Sequence, residues 1–163
     1  MNDSGCSDPA ERSPLMRLFY RNWRPTRIGW WVNRFACWWS GLGLPPRFQA
    51  ALEVRGRTSG RVRSNPVVIA TVEGKHYLVS MLGPQSDWVK NVEAEQGKAV
   101  IRQGCRRHVH LVAVPPEQRA LILREYVRIA SCGRQHFPLF PGAPLSEFTS
   151  IAARYPVYRI DPV

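Results

Sequence analysis

The stretch LEVRGRTSGRVRSNPVVIATVEGKHYLVSML, residues 52–82, decides the fold, because strand-like segments and short turns alternate along it. Residues 50–55 alternate between apolar and polar side chains, residues 66–72 form an apolar run, and residues 75–82 are again mostly apolar. The pair Glu73–Gly74 between the last two segments is typical of a tight hairpin turn. These features predict consecutive antiparallel strands rather than strands that alternate with helices.

The rest of the chain adds a second hairpin and covering helices. The further predicted elements are, in order, a helix over 87–95, strands over 98–103 and 106–114, a helix from Pro115–Pro116, a Pro/Gly/aromatic loop over 132–148 and a last strand over 155–160. Asp87 is the expected N-cap of the first helix, and Gly104 the turn of the second hairpin. The predicted fold class is α+β, a small antiparallel β-barrel with covering helices.

The composition favours an anionic partner. The chain has 163 residues and a formal net charge of +11 at pH 7, which is large for its size. Such an excess is typical of proteins that bind nucleic acid, an acidic membrane surface or a polyanionic cofactor. Because nearly all of the basic residues are arginines, a codon bias toward arginine is an alternative source of the charge. No nucleic-acid partner is predicted, since the arginines are spread along the chain and no recognition motif is present.

Cysteine and histidine spacing gives no indication of a metal site. The four cysteines form no CxxC pair, which argues against zinc and for a reducing compartment. His108 and His110 share one face of a strand, but the sequence suggests no third ligand. The first residues lack the apolar segment of a secretory signal, and no segment reaches the length of a spanning helix. We therefore expect a cytoplasmic protein, either soluble or peripheral at the inner face of the cell membrane.

The chain divides into three regions. Residues 1–13 are polar and are expected to be a flexible tail. Residues 14–49 are basic and aromatic, contain no acidic residue, and predict an amphipathic helix over about 28–40. Residues 50–163 form the barrel domain. The helix has two interpretations: an interfacial helix with Trp and Arg in anionic headgroups, or a helix packed over the barrel with its Trp rings buried.

The segment GRTSGRVRSNP, residues 56–66, is suited to bind an anion. Its glycines give the backbone freedom, its hydroxyls can donate hydrogen bonds, and its three arginines can bind phosphate or carboxylate bidentately. Because the segment leads into a strand and not a helix, it is neither a P-loop nor a dinucleotide-binding turn. The alternative is a solvated basic hairpin tip.

Two motifs carry a resemblance to a known family. The segments LEVRGRTSGRVRSNPVVI and LVSMLGPQSDWVKNVEA resemble, at this spacing, the phosphate-binding segment and the following helix motif of the deazaflavin (F-420)-dependent nitroreductase family. The resemblance covers about residues 50–160. It implies the split antiparallel β-barrel of the flavin reductase-like superfamily, coenzyme F-420 as cofactor with FMN as the alternative, and the possibility of a homodimer.

Carried over position by position, the resemblance also implies a site. The loop should hold the phosphate and the oligoglutamate tail, with Arg61 supplying a charge that the family often places at position 58. The start of the next strand and the end of the one after should edge the deazaflavin ring, and Asn91 should position a tryptophan beside it. The implied cofactor-binding residues are Arg57, Thr58, Ser59, Gly60, Arg61, Arg63, Pro66, Val67, Ser80, Met81 and Trp88.

Function follows as a set of alternatives. We expect an oxidoreductase that transfers a hydride from reduced F-420 to an apolar acceptor such as a quinone or an activated alkene or nitro compound. Nitro reduction is disfavoured, because the C-terminal loop has Phe137 and Phe140 where the family's nitro-reducing member has tyrosines. His136 and Tyr126 are the candidate proton donors, although a loop histidine and a helix tyrosine are more often surface and core residues. The competing hypothesis is a non-catalytic split-barrel carrier that binds F-420, FMN, haem or a fatty acyl ligand.

Overall fold

The computed structural model describes residues 20–21, 24–25, 27–41, 48–131 and 133–163. The tail predicted over residues 1–13 lies outside the described residues. The helices are α1 (Arg27–Gly41), α2 (Asp87–Ala94), α3 (Ala120–Ile129) and α4 (Leu145–Ile151). The strands are β1 (Tyr20–Arg21), β2 (Arg24–Pro25), β3 (Gln49–Arg55), β4 (Val62–Val72), β5 (Lys75–Val79), β6 (Lys98–Gln103), β7 (Cys105–Ala113) and β8 (Val157–Pro162).

Six of the strands close into an antiparallel barrel with the order β3-β4-β5-β8-β7-β6. Because the barrel is closed, each of its strands pairs with a neighbour on both sides over at least part of its length. β1 and β2 form a separate two-stranded ladder. The predicted α+β fold with a split barrel and covering helices is confirmed.

The turns confirm two predictions and correct a third. Glu73 and Gly74 have φ of 50° and 73°, as a two-residue hairpin turn between β4 and β5 requires. Gly104, with φ of 75°, turns β6 into β7. The N-cap of α2 is Ser86 and not Asp87, which occupies the first helical position instead.

β4 begins earlier than predicted, and α4 was not predicted. β4 begins at Val62, four residues before the predicted start, because its backbone pairs with β3 as far as Arg55↔Val62. Residues 132–148 were expected to be a loop, but they contain a 3-10 turn over Arg134–His136 and the beginning of α4. α4 follows Pro144 and carries Glu147 in its first turn, an ordinary helix start inside a segment dominated by Pro and Gly.

Two apolar clusters lie on opposite faces of the barrel wall. The inner cluster fills the barrel and is closed by Val89 and Val92 of α2. The outer cluster packs α3 and α4 on the outer face of β4 and β5, with Phe148 fully buried. From Val67 onward β4 alternates, with Val67 and Ile69 in the inner cluster and Val68, Ala70 and Val72 in the outer one, so this part of the strand has one face toward the interior and one toward the helices.

α1 packs on the outer face of β3 and β4 through its small residues. Cys37 is 5% exposed, its thiol hydrogen-bonds with Ser64 on β4, and its carbonyl oxygen accepts a bond of 3.3 Å from Arg102 on β6. Burial raises the pKa of the Cys37 thiol. The aromatic rings lie on the other side of the helix: Trp31, Phe35 and Trp38 are 68%, 61% and 55% exposed. The helix is therefore packed over the barrel, but these rings are not buried.

Candidate cofactor-binding site

The loop between β3 and β4 is a tight turn of residues 56–61. The N–H of Gly56 donates to the carbonyl oxygen of Arg61 at 2.9 Å, and the N–H of Gly60 donates to that of Gly56 at 2.8 Å. Gly60 has φ of +64°, a left-handed conformation that favours glycine. A Cβ on Gly56 would lie 3.1 Å from Oγ of Ser59 and 3.2 Å from the carbonyl oxygen of Arg61. Gly60 therefore provides the left-handed residue of the turn, and a side chain at Gly56 would crowd Ser59 and Arg61.

Arg57 attaches the loop to α2. Oδ1 of Asn91 accepts two bonds from Arg57, one from its backbone N–H at 3.2 Å and one from Nη1 at 2.9 Å. Nη2 of Arg57 lies 3.0 Å from Oδ1 of Asp87 in a salt bridge that is partly exposed. The sequence predicts Arg57 as a phosphate ligand and Asn91 as the residue that positions Trp88. The structure gives the two residues a direct contact with each other.

Arg61 and Arg63 carry the unbalanced positive charge. Both are exposed, and within the described part of the chain neither side chain forms a salt bridge or a hydrogen bond. Thr58 and Ser59 lie between Arg57 and Gly60 at the exposed tip. The loop thus presents two free guanidinium groups and two hydroxyls to solvent, a combination that binds phosphate or carboxylate.

The inner face of β4 changes from charged to apolar along the strand. Arg63 pairs with Val54 and Asn65 with Leu52, both of which are buried inside the barrel, so Arg63 and Asn65 share that inner face. Val67, two residues further, packs partly buried against the inner cluster. Nδ2 of Asn65 is buried and has no hydrogen-bond partner in the part of the chain that the structure describes. A ligand with an anionic end and an apolar ring fits this order of side chains.

Ser80 and Met81 follow β5 directly. Oγ of Ser80 is buried, 2.7 Å from the carbonyl oxygen of Gly83 and 3.0 Å from Oγ of Ser86. Its hydroxyl therefore shapes the turn into α2. Its backbone is also bonded within the protein, since its N–H donates to the carbonyl oxygen of Pro156 at 2.9 Å and its carbonyl oxygen accepts from Gly83 at 3.1 Å. Met81 is half-buried and packs on the outer cluster, as do Val68 and Val72 of β4. Pro66 is half-buried at the same end of the barrel.

Trp88, in the first turn of α2, is half-buried against the inner cluster. Its ring meets that of Tyr158 edge-on, with centroids 5.7 Å apart. The hydroxyl of Tyr158 donates to Oε1 of Glu93 at 3.3 Å. Burial, and secondarily the Glu93 carboxylate, raises the pKa of Tyr158 to about 12. Tyr158 therefore stays neutral at physiological pH. Its ring packs against that of Trp88.

Tyr126 belongs to the outer cluster, and His136, in the 3-10 turn after α3, is buried against Tyr155 of that cluster. Tyr126 is 3% exposed, with its ring centroid 5.6 Å from that of Phe137. His136 is 7% exposed, and its carbonyl oxygen accepts a bond of 3.0 Å from the hydroxyl of Tyr155. As proton donors they stay predictions, and the structure places both inside packed protein. Among the described residues no group of three or more His, Cys, Asp or Glu side chains is arranged to hold a metal ion.

Sequence reasoning missed the position of Asn65. It was counted with the loop, and its place on the inner face emerges only from the β3–β4 register. The signal was present in the sequence: Asn65 and Val67 are two residues apart in a strand whose inner positions become apolar further along. Arg57 of the loop contacts Asn91 of α2, and Ser80 after β5 bonds with Ser86 directly before α2, so these segments adjoin one another. The assignment of the site residues stays a prediction.

Comparisons with known proteins bear on the family and on the fold. The family profile of the F420H(2)-dependent quinone reductases matches residues 36–136. A solved protein of unknown function from Agrobacterium tumefaciens has 14% identity and a TM-score of 0.53, covering 84% of this chain and 57% of its own, which supports the fold alone. The F420-H2 dependent reductase FDR-A has 19% identity and a TM-score of 0.48, covering 71% of this chain and 95% of its own. A domain-swapped dimer has 17% identity and a TM-score of 0.49, covering 91% of this chain and all of its own.

No curated protein matches this sequence. The family profile spans well over half of the chain, including the loop, β4 and α2. It confirms the dependence on F-420 that the two motifs imply. The chain belongs to the F420H(2)-dependent quinone reductase family, and it is an oxidoreductase whose cofactor is coenzyme F-420.

Proposed function

We propose that this protein transfers a hydride from reduced F-420 to a quinone. The observation that supports it most is the inner face of β4, where the unpaired Arg63 is followed by a buried amide and then by apolar side chains, with the unpaired Arg61 in the adjoining loop. F-420 has the matching order of groups, an anionic tail and phosphodiester at one end and a flat ring at the other. FMN lacks the oligoglutamate tail and is expected to bind more weakly.

The residues at this end of the barrel divide into two groups by role. Arg61 and Arg63, with Thr58, Ser59 and Gly60, would hold the phosphodiester and tail, while Arg57 would fix the loop on α2. Pro66, Val67, the backbone at Ser80 and Met81, and the ring of Trp88 would edge the deazaflavin. When bound in its reduced form, the cofactor supplies the hydride. The chain's own task is to hold the acceptor against the ring and to exclude water.

The reduced acceptor must also receive a proton from a donor group. His136 and Tyr126 remain the proposed donors, because both are titratable, Tyr126 belongs to the cluster on which Met81 packs, and His136 is bonded to Tyr155 of that cluster. A donor must come within about 3 Å of its acceptor. Since both side chains are buried, donation from either would need the segment that carries His136 to open. Replacement of each by a non-titrating residue, His136→Gln and Tyr126→Phe, tests the assignment through the pH profile of turnover.

We further propose that α1 rests in the surface of an anionic membrane, where quinones dissolve. The exposed rings of Trp31, Phe35 and Trp38 form one apolar face, and α1 has Arg27 and Arg34 but no acidic residue. Burial of one such side chain contributes about 1.5–3 kcal/mol, and each basic residue about 1 kcal/mol near an anionic surface. Together these terms suffice for reversible binding. Among the described residues, no helix combines the length and apolarity needed to cross a bilayer.

Flotation with vesicles of mixed anionic and neutral phospholipid tests the membrane proposal. The double variant Trp31→Ser, Phe35→Ser should lose most of the binding, because it removes two exposed rings without touching the buried Cys37 face. Phe140→Ser is the matched control, since Phe140 is 66% exposed but lies outside α1. Equal binding by the double variant and the wild type would contradict the proposal.

Turnover tests the reaction itself. Oxidation of reduced F-420 by a soluble short-chain quinone should be catalysed by the wild type and lost, through a raised KM for the cofactor, in Arg61→Ala, Arg63→Ala. Arg124→Ala, an exposed arginine on α3, is the matched control and should leave turnover unchanged. Cofactor binding without turnover by any quinone would favour the ligand carrier. Homodimerisation stays a prediction, to be measured by light scattering.

A further inference from the structure

Asn65 holds a hydrogen-bond donor that nothing in the described protein uses. Its Nδ2 is buried, and the described residues offer it no acceptor. Buried polar groups in folded proteins nearly always have a partner, because leaving one unpaired is costly. Asparagine is also disfavoured in strands, so this residue gives β4 no advantage of its own. A bound ligand with a hydrogen-bond acceptor would supply the missing partner.

The position of Asn65 limits what that partner can be. It sits opposite Leu52 in the β3–β4 register, hence on the inner face of β4, two residues from Arg63 and two from Val67. Two residues of strand span roughly 6.8 Å. Asn65 therefore lies midway between an unpaired guanidinium and the start of the apolar interior. β4 reaches this point beyond its pairing with β5, which ends at Ile69↔Leu78, so one side of the strand is free of a neighbouring strand here.

We propose that Asn65 binds the cofactor, donating a hydrogen bond from Nδ2 to an oxygen that lies between its anionic end and its ring. The inference rests on the proposed function, since it assumes that the phosphodiester lies near Arg63 and the ring near Val67. Asn65 then sets how far the ring enters the barrel, because a hydrogen bond at a fixed point of β4 defines the ligand's position along the strand. The loop arginines attract the anionic end of the cofactor, whereas Asn65 fixes the position of the cofactor along β4.

The test compares the stability of the free protein with its affinity for F-420. Asn65→Leu has a similar size and no donor, so it removes an unpaired polar group from the free protein. Its melting temperature should be unchanged or higher than that of the wild type. Its Kd for F-420, measured by tryptophan quenching, should be about tenfold weaker, as expected for one lost hydrogen bond. Thr71→Val is the control, a polar-to-apolar change at the far end of the same strand, and should leave the Kd unchanged.

The possible outcomes separate this inference from the proposal on which it rests. A wild type that does not bind F-420 would overturn the proposed function. If the wild type binds F-420 and Asn65→Leu binds it with equal affinity, whatever the stability of the variant, only the assignment of Asn65 is overturned. If Asn65→Leu does not fold, Asn65→Asp replaces it. This variant has the same shape but lacks the donor when ionised, and its Kd should be weakened at least tenfold.

Discussion

Asn91 is the residue on which the attachment of the anion-binding loop to α2 depends most. It is 5% exposed, and its Oδ1 accepts both the backbone N–H and Nη1 of Arg57. Asn91→Ala removes both bonds. A hydrogen bond from a charged donor contributes about 1.5–3 kcal/mol and a neutral one about 1 kcal/mol. Partial access of water to Arg57, whose side chain is 35% exposed, reduces the loss.

Helix propensity acts in the opposite direction. Alanine is the better helix former by roughly 0.5 kcal/mol, so we expect Asn91→Ala to lower the free energy of unfolding by about 2 kcal/mol. For a chain of this length, that corresponds to a fall in Tm of roughly 4–8 °C. The affinity for F-420 should fall as well, since the loop would lose its fixed position.

Asp87→Ala is the informative comparison. Asp87 also pairs with Arg57, but the pair is exposed, and exposed ion pairs contribute about 0–1 kcal/mol. Thermal unfolding of the two variants at equal salt should therefore show a clearly larger loss for Asn91→Ala. If Asp87→Ala lost as much stability as Asn91→Ala, or more, the loop would be held by charge and not by the buried amide, and the reasoning would be refuted.

Two other perturbations have definite expected outcomes. The pKa of Tyr158 is raised from 10.0 to about 12 by burial and by Glu93, so its contribution to stability is complete below pH 10 and is lost as the pH rises toward 12. Tyr158→Phe should lose less stability than the wild type over that range, and parallel curves from denaturant titrations would contradict the assignment. Gly97 has φ of +83°, and a Cβ there would lie 2.6 Å from the carbonyl oxygen of Leu111. Gly97→Ala should therefore unfold at lower denaturant than Gly60→Ala, which suffers only the left-handed strain of about 1–2 kcal/mol, and equal midpoints would show that the clash is relieved.

The barrel could be predicted because its strands are bounded by strong local signals. β6 was predicted at its observed limits because Gly97 and Gly104 enclose the short apolar run of residues 99–101. The hairpin at Glu73–Gly74 was equally clear. The start of β4 was not, because Arg63, Ser64 and Asn65 have no apolar pattern and their strand conformation comes from backbone pairing with β3.

Contacts between distant residues were not predictable from local pattern. Arg57 and Asn91 are 34 residues apart, and the pattern at Arg57 indicates a cation but not which group it meets. For α1 the spacing of the aromatic residues gave a helix of nearly the observed length, yet not its orientation. The structure turns the small Cys37 toward the barrel and the large Trp31 and Phe35 outward, because the surface over β3 and β4 fits a close approach of the helix backbone.

The central claim is that the exposed arginines and the inner face of β4 bind coenzyme F-420. It is tested most directly by titrating the purified protein with F-420 and, in parallel, with FMN, following the quenching of tryptophan fluorescence, since Trp88 lies beside the proposed site. The account predicts tight binding of F-420, weak binding of FMN, and loss of F-420 affinity in Arg61→Ala, Arg63→Ala. Absence of F-420 binding, or equal affinity of that variant, would contradict it.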